Sequence, residues 1–298
     1  MKNNLLVSVI IPCYNVKDYI NGCIESVLNQ SYNSIEIICV DNNSTDETLS
    51  ILKLLKSKFN IKVFKCLEKG ANNARNLGVE KSKGQWIQFL DADDIILPNK
   101  IECQVDEILK NNNLDLIFSP FMKRSIDNIK SNISCDEVVE LGLFNTKLGI
   151  TSSNLFKSST IKSSGMWDVN QESSQEYELM FRFYKNKAIF KYSNHNMTIV
   201  QTRKSGQIST LNLKENWERY VDLRIEMINF FKEKSIYLSQ QNKILINQIL
   251  FDLLRILIKF NRLKAVNIYN EYLPYFSPKK STSSGNVYIF IFRIFGFS

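Results

Sequence analysis

Apolar residues recur along this chain in two alternating rhythms. Short runs at 6–11 (LVSVII), 35–40 (IEIICV), 61–64 (IKVF), 86–90 (WIQFL) and 114–118 (LDLIF) are rich in β-branched and aromatic side chains. They read as buried strands. Between them lie segments with helical spacing: about 16–29, with Ile20, Ile24, Val27 and Leu28 on one face, and a stretch beyond Glu47 carrying Leu49, Leu52 and Leu55. Two more follow, at 71–79 after Gly70 and at about 98–109, where Pro98 suits a first helical turn. Pro12 is expected to stop the first strand. Ser44 with Glu47 three residues later reads as a capping box that starts the second helix.

Strand and helix alternate with short links through the first 120 residues or so, which predicts an α/β layer around a mainly parallel sheet. Ligands of such sheets bind beyond the carboxyl ends of the strands. The rhythm blurs over 121–148, then returns as a helix at 175–186 and strands at 188–192 and 197–201. Beyond 214 only helical spacing remains, as in Trp217, Val221, Ile225, Ile228 and Phe231, then Leu245, Ile249, Leu253, Ile256 and Phe260. The expected division is a domain over 1–212 and a helical region over 213–298.

Composition adds bounds. Of 298 residues, 44% are hydrophobic and 23% charged, enough for one large domain or two modest ones. A formal net charge of +8 favours anionic partners. No basic block with interleaved aromatics is present, which argues against nucleic acid. Six cysteines without a CxxC pair, and a single histidine, His195, argue against zinc. With no signal-peptide pattern and no run near the roughly 20 apolar residues of a membrane span, the expected location is the cytoplasm.

Chemistry enters at 90–94, LDADD. Three carboxylates at the end of a buried strand repel one another. A divalent cation relieves that repulsion, and hard cations such as Mn2+ or Mg2+ take oxygen ligands. The same residues also suit a solvated turn ahead of a helix. Two further polar loops, at 12–15 and 41–46, follow the first and second strands and so reach the same end of the sheet.

The segments VIIPCYN (9–15), VDNNSTDET (40–48), GANNARNLG (70–78) and FLDADD (89–94), in that order, resemble a family 2 glycosyltransferase of the bacterial surface-polysaccharide type. The resemblance implies the GT-A fold, a Rossmann-like nucleotide-sugar-binding architecture, with a donor-binding half over about 5–118 and an acceptor and base half over about 150–209. It implies an inverting, metal-dependent single displacement. A hexosyl or N-acetylhexosaminyl group would move from a UDP-sugar to a hydroxyl of a growing, lipid-linked surface glycan. Carried over by motif, Pro12, Tyr14 and Asn15 line the nucleoside pocket, and Asp41 accepts from the uracil imide N–H. Arg75 lies near the nucleotide or the sugar. Ala92 and Asp94 border the donor, and Asp93 and Asp91 hold the Mn2+ or Mg2+, Asp93 the more directly. Duller readings stand beside these: Asp41 as a turn cap, Arg75 as a solvated helix residue, Gly70 and Gly78 as backbone punctuation, since no GxGxxG or Walker pattern occurs.

In the second half, QEYELMFR (175–182) aligns with the family's base-bearing helix and places Glu176 at the general base, with Glu172 and Glu178 as substitutes. The segment TSSNLF (151–156) resembles one that borders the acceptor. Arg203 resembles the arginine of a loop that closes on the diphosphate. Ser205 replaces the histidine many relatives carry there, so no third metal ligand is expected from that loop. The tail VYIFIFRIF (287–295), flanked by Lys279, Lys280 and Arg293, is too short to span a bilayer. It is expected either to lie on an anionic membrane surface, making the protein peripheral on the inner face of the plasma membrane, or to pack on the core or on a second subunit of a homo-oligomer. The rival to an enzyme is a non-catalytic nucleotide-sugar-binding or assembly subunit that retains the fold.

Overall fold

A computed structural model describes residues 5–125, 127, 130–202, 212–279, 292 and 297. The chain divides into two compact units, Met1–Gln171 with Gln175–Ser205, and Gly206–Ser298 with Glu172–Ser174.

The first unit opens as the apolar rhythm predicts: β1 (Val7–Cys13), α1 (Ile20–Leu28), β2 (Ile35–Asp41), α2 (Thr48–Lys58), β3 (Ile61–Lys65), α3 (Ala71–Lys81) and β4 (Trp86–Phe89). It continues with β5 (Ile95–Ile96), α4 (Lys100–Lys110), β6 (Leu116–Phe118), β7 (Phe121–Arg124), β8 (Lys130–Ile133) and α5 (Val139–Asn145). Then come β9 (Leu155–Lys157), α6 (Ser158–Ser163), α7 (Gln175–Lys185), β10 (Phe190–Tyr192) and β11 (Thr198–Gln201).

The main sheet has seven strands in the order β10-β6-β9-β4-β1-β2-β3. All its pairings are parallel except those of β9, which runs antiparallel between β4 and β6. A second sheet of four strands has the order β5-β11-β7-β8. The core is the buried strand faces with the inner faces of α1 and α4, including Val9, Ile11, Ile24, Cys39, Ile101 and Val105. Helix α3 lies close on β1: a Cβ added at Gly78 would fall 2.3 Å from Cγ2 of Ile10. Gly78 is therefore a close-approach glycine rather than punctuation, and it sets the height of Arg75 above the sheet.

Two local expectations fail. Pro12 does not end β1; the strand runs on to Cys13, with Pro12 opposite Val40 of β2. The Ile10 carbonyl faces β4, accepting from Leu90 N–H at 2.9 Å. Pro12, two residues on, faces the same way, but β4 ends at Phe89, so its missing N–H leaves no ladder bond unmade. The capping box also does not form. Helix α2 starts at Thr48, whose N–H donates to Asp46 Oδ1 at 3.0 Å, while the Ser44 hydroxyl accepts from Asn15 N–H at 3.2 Å.

The second unit contains α8 (Leu213–Glu233), α9 (Gln240–Leu257) and α10 (Arg262–Tyr272). Side chains of Ser239 and Asn261 cap α9 and α10 by accepting from Asn242 and Lys264 N–H. Phe292 is buried with its ring 5.3 Å from that of Phe251, edge to face. The other residues of the apolar tail lie outside the described residues. Among the described residues no helix is long and apolar enough to cross a membrane.

Candidate active site

Three loops of the first unit leave the carboxyl ends of β1, β2 and β4 on one side of the main sheet. Asp41 ends β2 opposite Cys13 and is only 1% exposed. Neither of its carboxylate oxygens has a hydrogen-bond partner. A buried, unpaired anion is costly, and a donor reaching it recovers much of that cost. The backbone around it is fixed: Asn42 N–H donates to Cys13 O and Cys66 N–H to Asp41 O, both at 2.8 Å. Asn42 then accepts from Gly70 N–H at 2.8 Å and donates to Glu68 O at 2.6 Å. Gly70, at φ 120°, opens α3 in a conformation that favours glycine.

The residues after β1 take different roles. Tyr14 is 53% exposed, with its ring accessible. Asn15, in the left-handed region at φ 51°, ties the first loop to the second: its Oδ1 accepts from Thr45 N–H at 2.8 Å, and its Nδ2 donates to Thr45 Oγ1 at 3.2 Å. Asn15 is thus a scaffold between loops. Pro12 is half-buried in β1.

The acidic turn after β4 is densely bonded. Asp94 N–H donates to Asp91 O at 2.9 Å and closes the turn. Asp91 N–H donates to the Ser152 hydroxyl at 3.0 Å. Its Oδ1 accepts from Arg75 Nη2 at 3.0 Å. Arg75 is buried; Nη1 donates to Asn72 Oδ1 at 3.0 Å and to Gln175 Oε1 at 2.9 Å, and the guanidinium lies 4.7 Å from the Trp167 ring centre. The solvated reading of Arg75 is overturned: it links the acidic turn to the first residue of α7. Asp94 is buried, and its side chain accepts from Gln201 N–H at 3.3 Å. Burial, with Asp91 and Asp93 nearby, holds its carboxyl well above the usual carboxylate range. Gln201 also donates to Asp93 O at 2.7 Å. The Ala92 side chain is buried in the core, so only its backbone can meet a donor.

Glu176 stands half-buried in the first turn of α7, beside the residue that Arg75 holds. Its two substitutes are engaged elsewhere. Glu178 takes Arg182 Nε and Nη2 at 2.6 and 2.7 Å, and Glu172 takes Arg219 at 2.6 Å. Thr151, Ser152, Ser153 and Asn154, expected at an acceptor, are buried and lead into β9. Arg203 lies outside the described residues.

Asp91 and Asp93 offer the hard oxygen donors that Mn2+ or Mg2+ prefer. Among the described residues, no three His, Cys, Asp or Glu side chains are grouped to hold an ion. A cation at Asp91 and Asp93 would have to complete its shell with ligands from elsewhere, such as substrate phosphate and water.

Gln201 and Trp167 support this site and carry no role in the sequence reading, while Ser152, Gln175 and Asn72 enter there only as members of longer motifs and not as the supports they are. Lone serines, glutamines and asparagines carry no periodic signal.

A model of glycosyl transferase family 2 matches residues 8–195. An uncharacterized glycosyltransferase of Rickettsia prowazekii is 30% identical over 236 residues, 75% of this chain and 72% of that one. The UDP-Glc:alpha-D-GlcNAc-diphosphoundecaprenol beta-1,3-glucosyltransferase WfaP of Escherichia coli is 44% identical over 100 residues, 34% of this chain and 40% of that one. Some matched relatives are spanned only in part, as with 17% of a Rickettsia bellii glycosyltransferase. Among solved structures, Staphylococcus aureus TarS 1–349 in complex with UDP-GlcNAc superposes with a TM-score of 0.64 at 18% identity, covering 90% of this chain and 76% of that one. The Pyrobaculum calidifontis mannosyltransferase PcManGT with GDP-Man and Mn2+ gives 0.61 at 14% identity, covering 99% and 88%. These likenesses extend the shared fold to most of the chain.

Proposed function

The chain belongs to glycosyl transferase family 2, and from that premise we propose that it moves a hexosyl or N-acetylhexosaminyl group from a UDP-sugar to a hydroxyl of a lipid-linked glycan, with inversion. The observation that carries the choice of nucleotide is Asp41. A buried carboxylate without a donor of its own complements the imide N–H of uracil and has no match in the corresponding ring nitrogen of cytosine, an acceptor; guanine, which also carries a ring N–H, is separated from uracil by the titration below. Tyr14, exposed next to it in the loop after β1, offers a face on which a base can stack.

In the reaction, the acceptor oxygen attacks the anomeric carbon from the side opposite the nucleotide. Glu176 takes the acceptor proton as the bond from that carbon to the diphosphate oxygen breaks, and UDP leaves with the bonding pair. Arg75 keeps Asp91 and Gln175 in fixed relation, so the donor side and the base side hold their separation. Asp93 and Asp91 would hold Mn2+ or Mg2+, which supplies positive charge for the departing diphosphate when bound. The relative WfaP, named for a diphosphoundecaprenol-linked acceptor, supports the lipid-linked class of substrate.

Calorimetric titration of UDP, CDP and GDP into the protein with Mn2+ tests the nucleotide assignment. UDP is expected to bind at least about tenfold more tightly than CDP, and Asp41→Asn to remove most of that preference. Equal binding of UDP and CDP by the parent protein removes the uracil reading.

A further inference from the structure

Lys100, the first residue of α4, is the side chain that nothing in the reaction above uses. It is 2% exposed. Its ammonium donates to Gln88 Oε1 and, at 2.8 Å, to Gln104 Oε1. Among the described residues it makes no ion pair with a carboxylate, an arrangement that burial alone would disfavour. As ammonium or as neutral amine, the group offers N–H donors to both oxygens. It therefore forces both glutamines to turn their oxygens towards it and their amide nitrogens away.

Those nitrogens reach Phe89 O and, at 3.4 Å, the Ser119 hydroxyl, and they also meet one short segment. Gln88 Nε2 donates to Ser152 O at 2.9 Å, and Gln104 Nε2 to Ser153 O at 3.1 Å. Gln88, Gln104, Ser152 and Ser153 are all buried. The hydroxyl of the same Ser152 accepts from Asp91 N–H at 3.0 Å. One continuous set of contacts thus runs from Lys100 through Gln88 to Ser152 and into the acidic turn. Without the Lys100 donors both glutamine oxygens lose their buried partner, and an amide that turned to find another would set its carbonyl against the Ser152 or Ser153 carbonyl.

We propose that Lys100 is a positioning residue, acting through Gln88 and Gln104 to hold Ser152, and with it the Asp91–Asp94 turn, in the geometry the donor requires. It touches neither donor nor acceptor. Its role is to fix which end of each glutamine faces the turn, a task that a hydrophobic side chain of the same length cannot perform.

The proposal rests on the transferase reading, so the test has one readout that depends on activity and one that does not. Lys100→Met keeps the length and removes the donors. It is expected to stay folded, since it deletes a buried charge, while kcat for sugar transfer falls about tenfold or more, the scale set by small displacements of catalytic groups. KM for the acceptor is expected to stay within about twofold, as nothing that binds it is altered. Hydrogen exchange of the Asp91 and Asp94 amides is expected to quicken about tenfold, with the α8 and α9 amides unchanged. Gln88→Leu is expected to give the same phenotype, and the double variant to be no worse than either single one, because all three break one chain of contacts. If the parent transfers no sugar, the function reading fails while the exchange comparison still decides this one. Unchanged exchange at Asp91 and Asp94 in folded Lys100→Met overturns the proposal, as does kcat within about twofold of an active parent. Should Lys100→Met not fold, the same two readouts on Gln88→Leu decide it by the same criteria.

Discussion

The acidic turn and the Asp41 corner lie at the same end of one sheet, yet they are built on opposite plans. At the turn, Asp91 meets Arg75 and Ser152, and Asp94 meets Gln201. At the corner, Asp41 is as buried as Asp94 and both its oxygens are without partners. The turn is preorganised: its geometry exists before any ligand arrives, as charge stabilisation in a transition state requires. On the proposed reading the corner holds recognition in reserve, the folded state carrying the penalty until a matching donor arrives. Rigidity and specificity are thus assigned to different carboxylates.

The largest expected effect tests the far end of the framed side. Glu176→Gln should lower kcat by about 10²–10⁴ with donor binding little changed, followed as UDP release with Mn2+ present. Unchanged turnover would take the base away from the framed side altogether. Arg75→Met should come next, destabilising the protein by about 3 kcal/mol in urea unfolding, the lower end for a broken buried pair because Asp91 is partly open to water. Stability unaffected by this change would mean the frame is not held by its arginine. Asp41→Asn should do the reverse and raise stability by about 1 kcal/mol, since it removes a buried charge that no group in the free protein compensates. A loss instead would show that Asp41 is already satisfied and erase the contrast.

The last test is a pH dependence. Burial pulls the Lys100 ammonium down to about 7. Unfolded lysine keeps its proton to about pH 10. Between those values the unfolded chain binds more protons, so stability contributed by this site rises with pH. Melting temperatures of the parent should therefore gain on those of Lys100→Met from pH 7.5 to about pH 9.5, and a parallel pair of curves would place Lys100 in contact with water.

The contrast also explains what could be read beforehand. Strands β1 and β2 were legible because unbroken β-branched runs have one outcome in a two-faced sheet, and Asp41, Asp91 and Asp93 were legible because charge at a strand end breaks that pattern. Strand β9 was not: Leu155, Phe156 and Lys157 are too few to establish a period, and the strand is defined by β4 and β6 on either side. Ser44 was misread because a local motif competes with a distant one, and Asn15 took the hydroxyl that the capping box needed. Gln88, Gln104 and Lys100 could not be seen at all, since a polar residue in a sequence looks solvated until its burial is known.

Replacing helical glycines by alanine is a common way to make a protein hardier, and two of this chain's helices would answer it differently. Gly22 in α1 has nothing within 4 Å of an added methyl and can accept one freely. Gly78 in α3 cannot, because Ile10 already occupies that space. A methyl there would lift α3 from the sheet and shift the arginine one turn earlier on the same helix. Any screen for heat resistance in this chain should therefore separate variants by catalytic loss as well as by melting point.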